Sequence, residues 1–119
     1  MPFVICKVNV PVSREQEVEL KERLGRAIEL VPGKSERGLL VAVEDCCRLW
    51  LAGDDDPLAY VQADVFANEG HVGYAAFSAE MASAFKDILD IPPERVYVRY
   101  GDIPVWSVAD MLVDLRMFI

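Results

Sequence analysis

The sequence predicts a single α/β (α+β) domain, spanning residues 1–119, in which two helices cover one face of a four-stranded mixed sheet. Three observations support this fold class. The apolar pattern gives strand, helix and strand twice in succession. The segments SERGLLVAVED, from Ser35, and PERVYVRYGD, from Pro93, line up loosely, which indicates two β-α-β halves. Hydrophobic residues make up 53% of the chain, enough for one core.

The first half begins with a strand and a helix. Residues 2–10 are rich in β-branched and apolar types, and Pro11 ends this strand. Ser13 and Gln16 have the spacing of a capping box, and apolar residues then repeat on one helical face. Residues 32–33, Pro-Gly, end the helix. Each strand-helix-strand unit therefore implies parallel strands joined by a right-handed crossover.

The remaining elements follow the same pattern. A second strand is predicted at residues 39–44, and the acidic run 53–57 forms a solvated turn. A third strand covers 58–67, a second helix carries an apolar stripe over 74–88, and a fourth strand covers 95–100.

The third strand alternates sharply between its two sides. One side is small and apolar, which suits packing under helices: Ala59, Val61, Ala63, Val65 and Ala67. The other side carries Tyr60, Gln62, Asp64 and Phe66. Together with Tyr97 and Arg99 of the last strand, this mixed face suits a subunit interface or a site lined by neighbours, so we expect a homo-oligomer.

Composition excludes several classes of partner. The 12 basic residues against 20 acidic ones give a net charge of -8 without a basic run, which argues against nucleic acid or an anionic membrane. No stretch approaches the roughly 18 apolar residues of a membrane helix, and the N-terminus lacks the pattern of an export signal. We expect a cytoplasmic protein with a small-molecule or protein partner, and nonclassical secretion stays open.

Cysteine and histidine limit the chemistry. The three cysteines, Cys6, Cys46 and Cys47, do not frame a disulfide scaffold, so reduced thiols are expected. His71 is the one histidine, which rules out a multi-histidine metal site, and no metal is predicted. Its glycine-rich surroundings predict a solvated loop or helix start.

Pro2 is the most informative position. Initiator methionine is normally removed before a small second residue, which would leave the secondary amine of proline at the start of the chain. An ordinary α-amino group titrates near pH 7.7 to 8.0, and burial beside a cation lowers its pKa. A pKa near neutral is what a general base requires.

Several short motifs stand in a recognisable order. They are the strand that starts at Pro2, Gly33-Lys34 after the first helix, Ala52-Gly53 with its polar run, and the segment Pro93 to Val98. Over nearly the whole chain this arrangement resembles the macrophage migration inhibitory factor family of the tautomerase superfamily. The MPF opening, Arg99, Trp106 and the closing residues 117–119 look closer to its D-dopachrome tautomerase branch.

The resemblance implies a homotrimer with pockets at the subunit boundaries. Pro2 would be the catalytic base, Lys34 the nearby cation, and Phe66 a backbone and wall contributor from the same subunit. Tyr97, Arg99 and Val108 would come from the neighbour. The implied reaction is keto-enol interconversion of phenylpyruvate-like α-keto acids, without a metal or an organic cofactor.

The sequence differs from the family in one motif, and three alternative functions stay open. Residues 58–61 read Leu-Ala-Tyr-Val where the inhibitory factor has CxxC, so thiol-redox activity is not expected. The alternatives are a cytokine-like scaffold that binds a protein receptor, and another proline-based reaction such as decarboxylation or hydration. An unrelated regulatory domain that binds a metabolite at a dimer interface is the third.

Overall fold

The computed structural model describes residues 1–118, and Ile119, the last residue of the predicted domain, lies outside the described part. This range contains two α-helices, α1 (Arg14–Ala27) and α2 (Tyr74–Leu89). Its strands are β1 (Pro2–Val8), β2 (Leu40–Glu44), β3 (Ala59–Phe66), β4 (Val96–Ile103), β5 (Val105–Val108) and β6 (Met111–Asp114). The predicted β-α-β-β-α-β subunit is confirmed, and the short strands β5 and β6 are additional.

The first four strands form one mixed sheet in the order β2-β1-β3-β4. β1 is parallel to β2 and β3 is parallel to β4, as the two crossover helices require, whereas β1 and β3 are antiparallel. In this register Pro2 lies opposite Val65, and Val65 lies opposite Asp102 on the next strand. The start of the chain is therefore at one end of a central strand.

The core lies between the helices and one face of the sheet. Alternate residues of β1 and β3 are fully buried there, together with the apolar stripes of both helices. Cys6 belongs to this core, and burial raises the pKa of its thiol to about 12. All three cysteines are free, in agreement with the prediction. The opposite face of the sheet stays open in the single chain.

Local sequence sets the ends of both helices. Ser13 and Gln16 form the predicted capping box at the start of α1, with reciprocal backbone to side-chain hydrogen bonds of 3.1 and 2.9 Å. α1 ends at Ala27, earlier than predicted, and a 3-10 turn covers Ile28–Leu30. Gly73 caps α2 with φ of 85°, where a Cβ would overlap the carbonyl of Leu30.

The structure corrects one expectation for the end of β3. Ala67 was expected to complete its apolar side, but β3 ends at Phe66, and Ala67 is exposed with φ of 62°. Phe66, which was expected on the mixed face, is buried, and Phe118 packs edge-on against its ring at a centroid distance of 6.2 Å. The C-terminal segment thus covers the end of β3.

The tail after β4 folds back as a hairpin that the sequence did not predict. β5 and β6 pair antiparallel with Trp106 opposite Val113, and a 3-10 turn follows at Leu115–Phe118. Because Pro104 separates β4 from β5, the two strands do not continue as one. The hairpin brings Trp106 to the start of the chain.

Candidate active site

The site is built around the N-terminus. Pro2 is buried at the start of β1, and the carbonyl oxygen of Met1 accepts a hydrogen bond of 3.3 Å from the backbone N–H of Phe66. The Pro2 nitrogen is bonded to that same carbonyl carbon. It therefore lies close to the backbone of Phe66, at the end of the sheet.

Lys34 reaches the same place from the segment after α1. Gly33, with φ of 75°, turns the chain, and the backbone N–H of Lys34 donates to the carbonyl of Val31 at 3.1 Å. The half-buried side chain then donates from Nζ to the carbonyl oxygen of Phe66 at 2.6 Å. The two backbone groups of Phe66 thus hold the start of the chain and the cation side by side.

This environment changes the titration of the N-terminal amine. Burial lowers the pKa of the Met1 α-amine, and the positive charge and hydrogen bonding of Lys34 lower it further, from 8.0 to about 6. An amine with this pKa is mostly uncharged at pH 7. The terminus can therefore accept a proton at neutral pH, as a general base must.

Trp106 and Gly38 form the other boundary of the site. The indole Nε1 of Trp106 donates to Sδ of Met1 at 3.2 Å, and a Cβ built on Gly38 would be 3.9 Å from Cα and Cγ of Met1. The sequence identifies Trp106 only as part of the family resemblance and does not place it in the site. The position of Trp106 depends on the β5-β6 hairpin, and the sequence of that hairpin has no clear strand or turn pattern from which it could be predicted.

One chain brings together only part of the predicted set. Pro2, Lys34 and Phe66 are in contact or adjacent, whereas Tyr97 and Arg99 lie on the open face of β4. Pro2 lies opposite Val65, and Val65 lies opposite Asp102 on β4, so the three residues are at one level of the sheet. At roughly 3.3 Å per residue, Arg99 and Tyr97 are about 10 and 16 Å from that level along the strand.

Tyr97 and Arg99 border a separate apolar concavity of about 320 Å³. Its other walls come from three leucines, Tyr60, Val98 and Trp50. Tyr97 is 52% exposed and Trp50 is 68% exposed, which is unusual for large aromatic side chains. Val108 is also exposed, but it lies two residues after Trp106 on β5, so the two side chains share one face of the hairpin.

His71 lies in an exposed loop just before α2, where the sequence placed it. Its Nε2 is 3.4 Å from the carboxylate of Asp102, and its ring stacks on Tyr74 at 5.4 Å. Within residues 1–118, no three histidine, cysteine, aspartate or glutamate side chains gather as a metal site, and no helix is long and apolar enough to cross a membrane.

Comparison with known proteins identifies this arrangement. The family model described as "Macrophage migration inhibitory factor (MIF)" matches residues 1–111. The inhibitory factors of Meriones unguiculatus and Mus musculus are each 28% identical over 109 residues, which cover 92% of this chain and 94% of each relative.

Solved structures agree on the fold. Leishmania major MIF2 superposes with a TM-score of 0.88 at 23% identity, covering 95% of this chain and 97% of that one. The structure of Pt0534 inactivated by 2-oxo-3-pentynoate gives a TM-score of 0.78 at 20% identity, covering 90% and 92%. These neighbours have the same fold as this chain. Since the family model spans almost the whole sequence, the chain belongs to the macrophage migration inhibitory factor family.

Proposed function

We propose that this protein is a keto-enol tautomerase for phenylpyruvate-like α-keto acids, and that the Pro2 amine, exposed by removal of Met1, is its general acid and base. The observation that carries the proposal is the position of the N-terminal amine. The α-amine of Met1, three bonds from the Pro2 nitrogen, is partly buried next to Lys34, and the pKa of this Met1 amine is lowered to about 6. Membership of the MIF family supports an isomerase reaction.

After Met1 is removed, the terminal nitrogen belongs to Pro2 at the end of β1. Burial and the charge of Lys34 then act on the proline amine in the same direction as on Met1, and they favour its neutral form. The neutral nitrogen takes a proton from the carbon next to the substrate carbonyl. The resulting ammonium returns the proton to the other end of the enol system, so atoms and charge balance over the cycle.

The same neighbours can hold an anionic substrate. Removal of Met1 takes away the carbonyl that accepts from the Phe66 N–H, so that donor becomes free beside the ammonium of Lys34. Both groups can bind a carboxylate and stabilise the negative charge of an enolate. Inactivation of Pt0534 by a 2-oxo acid derivative supports an α-keto acid substrate for this fold. This chemistry requires no cofactor.

We further propose that the active form is a homotrimer in which Tyr97 and Arg99 of a neighbour complete the pocket. Support comes from the distance between these residues and Pro2 along the strands of one chain, and from the open sheet face. Val108 shares its face of β5 with Trp106, so its own chain can supply that wall. Light scattering is expected to give three times the 13.3 kDa mass of the chain.

The catalytic role is tested on protein whose Met1 removal has been verified by N-terminal sequencing. Phenylpyruvate tautomerisation is followed by ultraviolet absorbance. The matched control has one alanine inserted before Pro2, which keeps every side chain but turns the proline nitrogen into an amide. Loss of a general base predicts turnover roughly 10² to 10⁴-fold lower. Equal turnover in the control, or none in the processed protein, would refute the proposal.

A further inference from the structure

Cys46 and Cys47 are consecutive in the sequence, and the chain bends at the first of them. Cys46 has φ of 54°, in the left-handed region, where ψ also departs from the value of a strand. The backbone N–H groups of the two cysteines both donate toward β1, to the carbonyl of Val10 at 3.1 Å and to that of Val8 at 2.9 Å. In a regular strand, successive residues point in opposite directions. The bend breaks this alternation, so both thiols can lie on one side of the loop.

The two thiols are accessible and close to each other. Cys46 is exposed and Cys47 is half-buried, whereas Cys6 is enclosed in the core. Loss of solvation raises the pKa of the Cys46 thiol, and the neighbouring Asp45 and Cys47 raise it further, as expected for two sulfur atoms within electrostatic range. The carboxylate of Asp45 is itself held, because it accepts from the backbone N–H of Val12 at 2.9 Å. The Cys46 thiol is therefore protonated at neutral pH and fixed beside its neighbour.

We propose that Cys46 and Cys47 form a dithiol site for trivalent arsenicals that carry one organic group. Such a compound has two hydroxyl groups on arsenic, R–As(OH)₂. Each thiol replaces one of them: two As–S bonds form, two As–O and two S–H bonds break, and two molecules of water leave. No electrons are transferred, and the thiol protons leave in the water, so binding at equilibrium does not require ionised thiols. A concavity of about 310 Å³ beside Cys47 leaves room for the organic group.

An arsenic bridge suits this pair better than a direct disulfide. Neighbouring Cα atoms are about 3.8 Å apart, whereas disulfides usually join Cα atoms about 4.4–6.8 Å apart. A bond between the two sulfur atoms would therefore be strained and easily reduced. An arsenic atom between them adds one atom to the ring and reduces the strain. The site is also independent of the proposed active site, because Cys47 binds the end of β1 and Pro2 lies at its start.

The test uses the full chain and phenylarsine oxide, which hydrates to phenylarsonous acid, with detection by intact mass spectrometry. The unmodified chain should retain one arsenical, which 2,3-dimercaptopropanol removes and glutathione does not. Cys46→Ser and Cys47→Ser each leave one thiol at the site, so the Kd should rise roughly 10²-fold or more, the range for loss of one of two linked contacts. Both side chains lie outside the core, so these variants should fold.

Cys6→Ala is the matched control and should leave the Kd unchanged, because Cys6 is buried away from the loop. An unchanged Kd in either serine variant would overturn the inference, and so would a mass in which one arsenic joins two chains. Trypsin digestion of the unmodified, arsenical-bound chain keeps the inference testable if Cys6→Ala does not fold. Cleavage after Arg37 and Arg48 releases residues 38–48, which hold both cysteines of the site. Arsenic should stay on this peptide, and arsenic on the peptide that contains Cys6 contradicts the inference.

Discussion

The titration of the Met1 α-amine tests the electrostatics of the site directly. An amine with the usual pKa of 8.0 would be about 9% neutral at pH 7, whereas one with a pKa of about 6 is about 90% neutral. The structure therefore predicts a tenfold gain in the base form at neutral pH. Lys34→Met removes the charge and the donor but keeps a similar apolar stem. It should raise the pKa to a value between 6 and 8.0, because burial, the largest cause, remains.

The assay is an NMR pH titration of chain labelled at the Met1 amine and produced without the aminopeptidase, so that Met1 stays in place. Lys21→Met is the matched control, since Lys21 is an exposed cation on α1. It should leave the pKa near 6. If the unsubstituted chain titrates near 8.0, the amine is not buried. If Lys34→Met has no more effect than Lys21→Met, the role assigned to Lys34 is wrong.

The lowered pKa also fixes the sign of its effect on stability. Above pH 8 the amine is neutral in both the folded and the unfolded chain, and it contributes nothing to the difference. Between pH 8 and 6 the unfolded chain binds the proton more readily, so this group destabilises the fold as pH falls, and the loss is complete below the folded pKa. Acetylation of the amine should remove this part of the pH dependence from urea unfolding curves.

Two further substitutions and one control substitution test the stability of the fold, by urea unfolding at equal protein concentration. Phe77→Ala in α2 removes a fully buried ring and should cost about 3–5 kcal/mol, and a loss below 1 kcal/mol would contradict the described packing. Arg95 is 15% exposed and binds Asp54 at 2.9 Å and two backbone carbonyls of the acidic turn, so Arg95→Ala should cost about 1–3 kcal/mol. Arg14→Ala, at an ion pair whose arginine is 84% exposed, should change stability by less than about 1 kcal/mol, and similar losses for both arginines would contradict the anchoring role.

The main sheet and its helices could be predicted because their signals are strong and local. The alternation along β3 separates a small apolar side from a polar one, and the capping box at Ser13 marks the start of α1. The end of α1 was less clear. The apolar face continues through Ile28 and Val31, but the chain tightens into a 3-10 turn before Pro32, because a residue before proline avoids the helical region.

The hairpin could not be predicted for two physical reasons. Each strand has four residues, too few for a clear alternation, and its connection contains Ala109 with φ of 56° where a turn would usually show glycine or asparagine. Its apolar side chains are largely exposed in the single chain, so burial gives no pattern to detect. The wall formed by Trp106 was missed for the same reason.

The predicted site residues fall into two groups, those that one chain brings together and those that it leaves apart. Pro2, Lys34 and Phe66 come from three separate segments, yet the family motifs give their positions, and the strand register brings them together at one end of β1. Tyr97 and Arg99 have equally clear motif positions, but the register places them several residues away on β4. Their exposure makes sense if the pocket is completed between chains, because a single chain then buries its base and cation while leaving its other contacts open. In the site proposed above, catalysis and assembly would depend on the same surface, and a neighbour would have to be in place before the substrate contacts of one chain were complete.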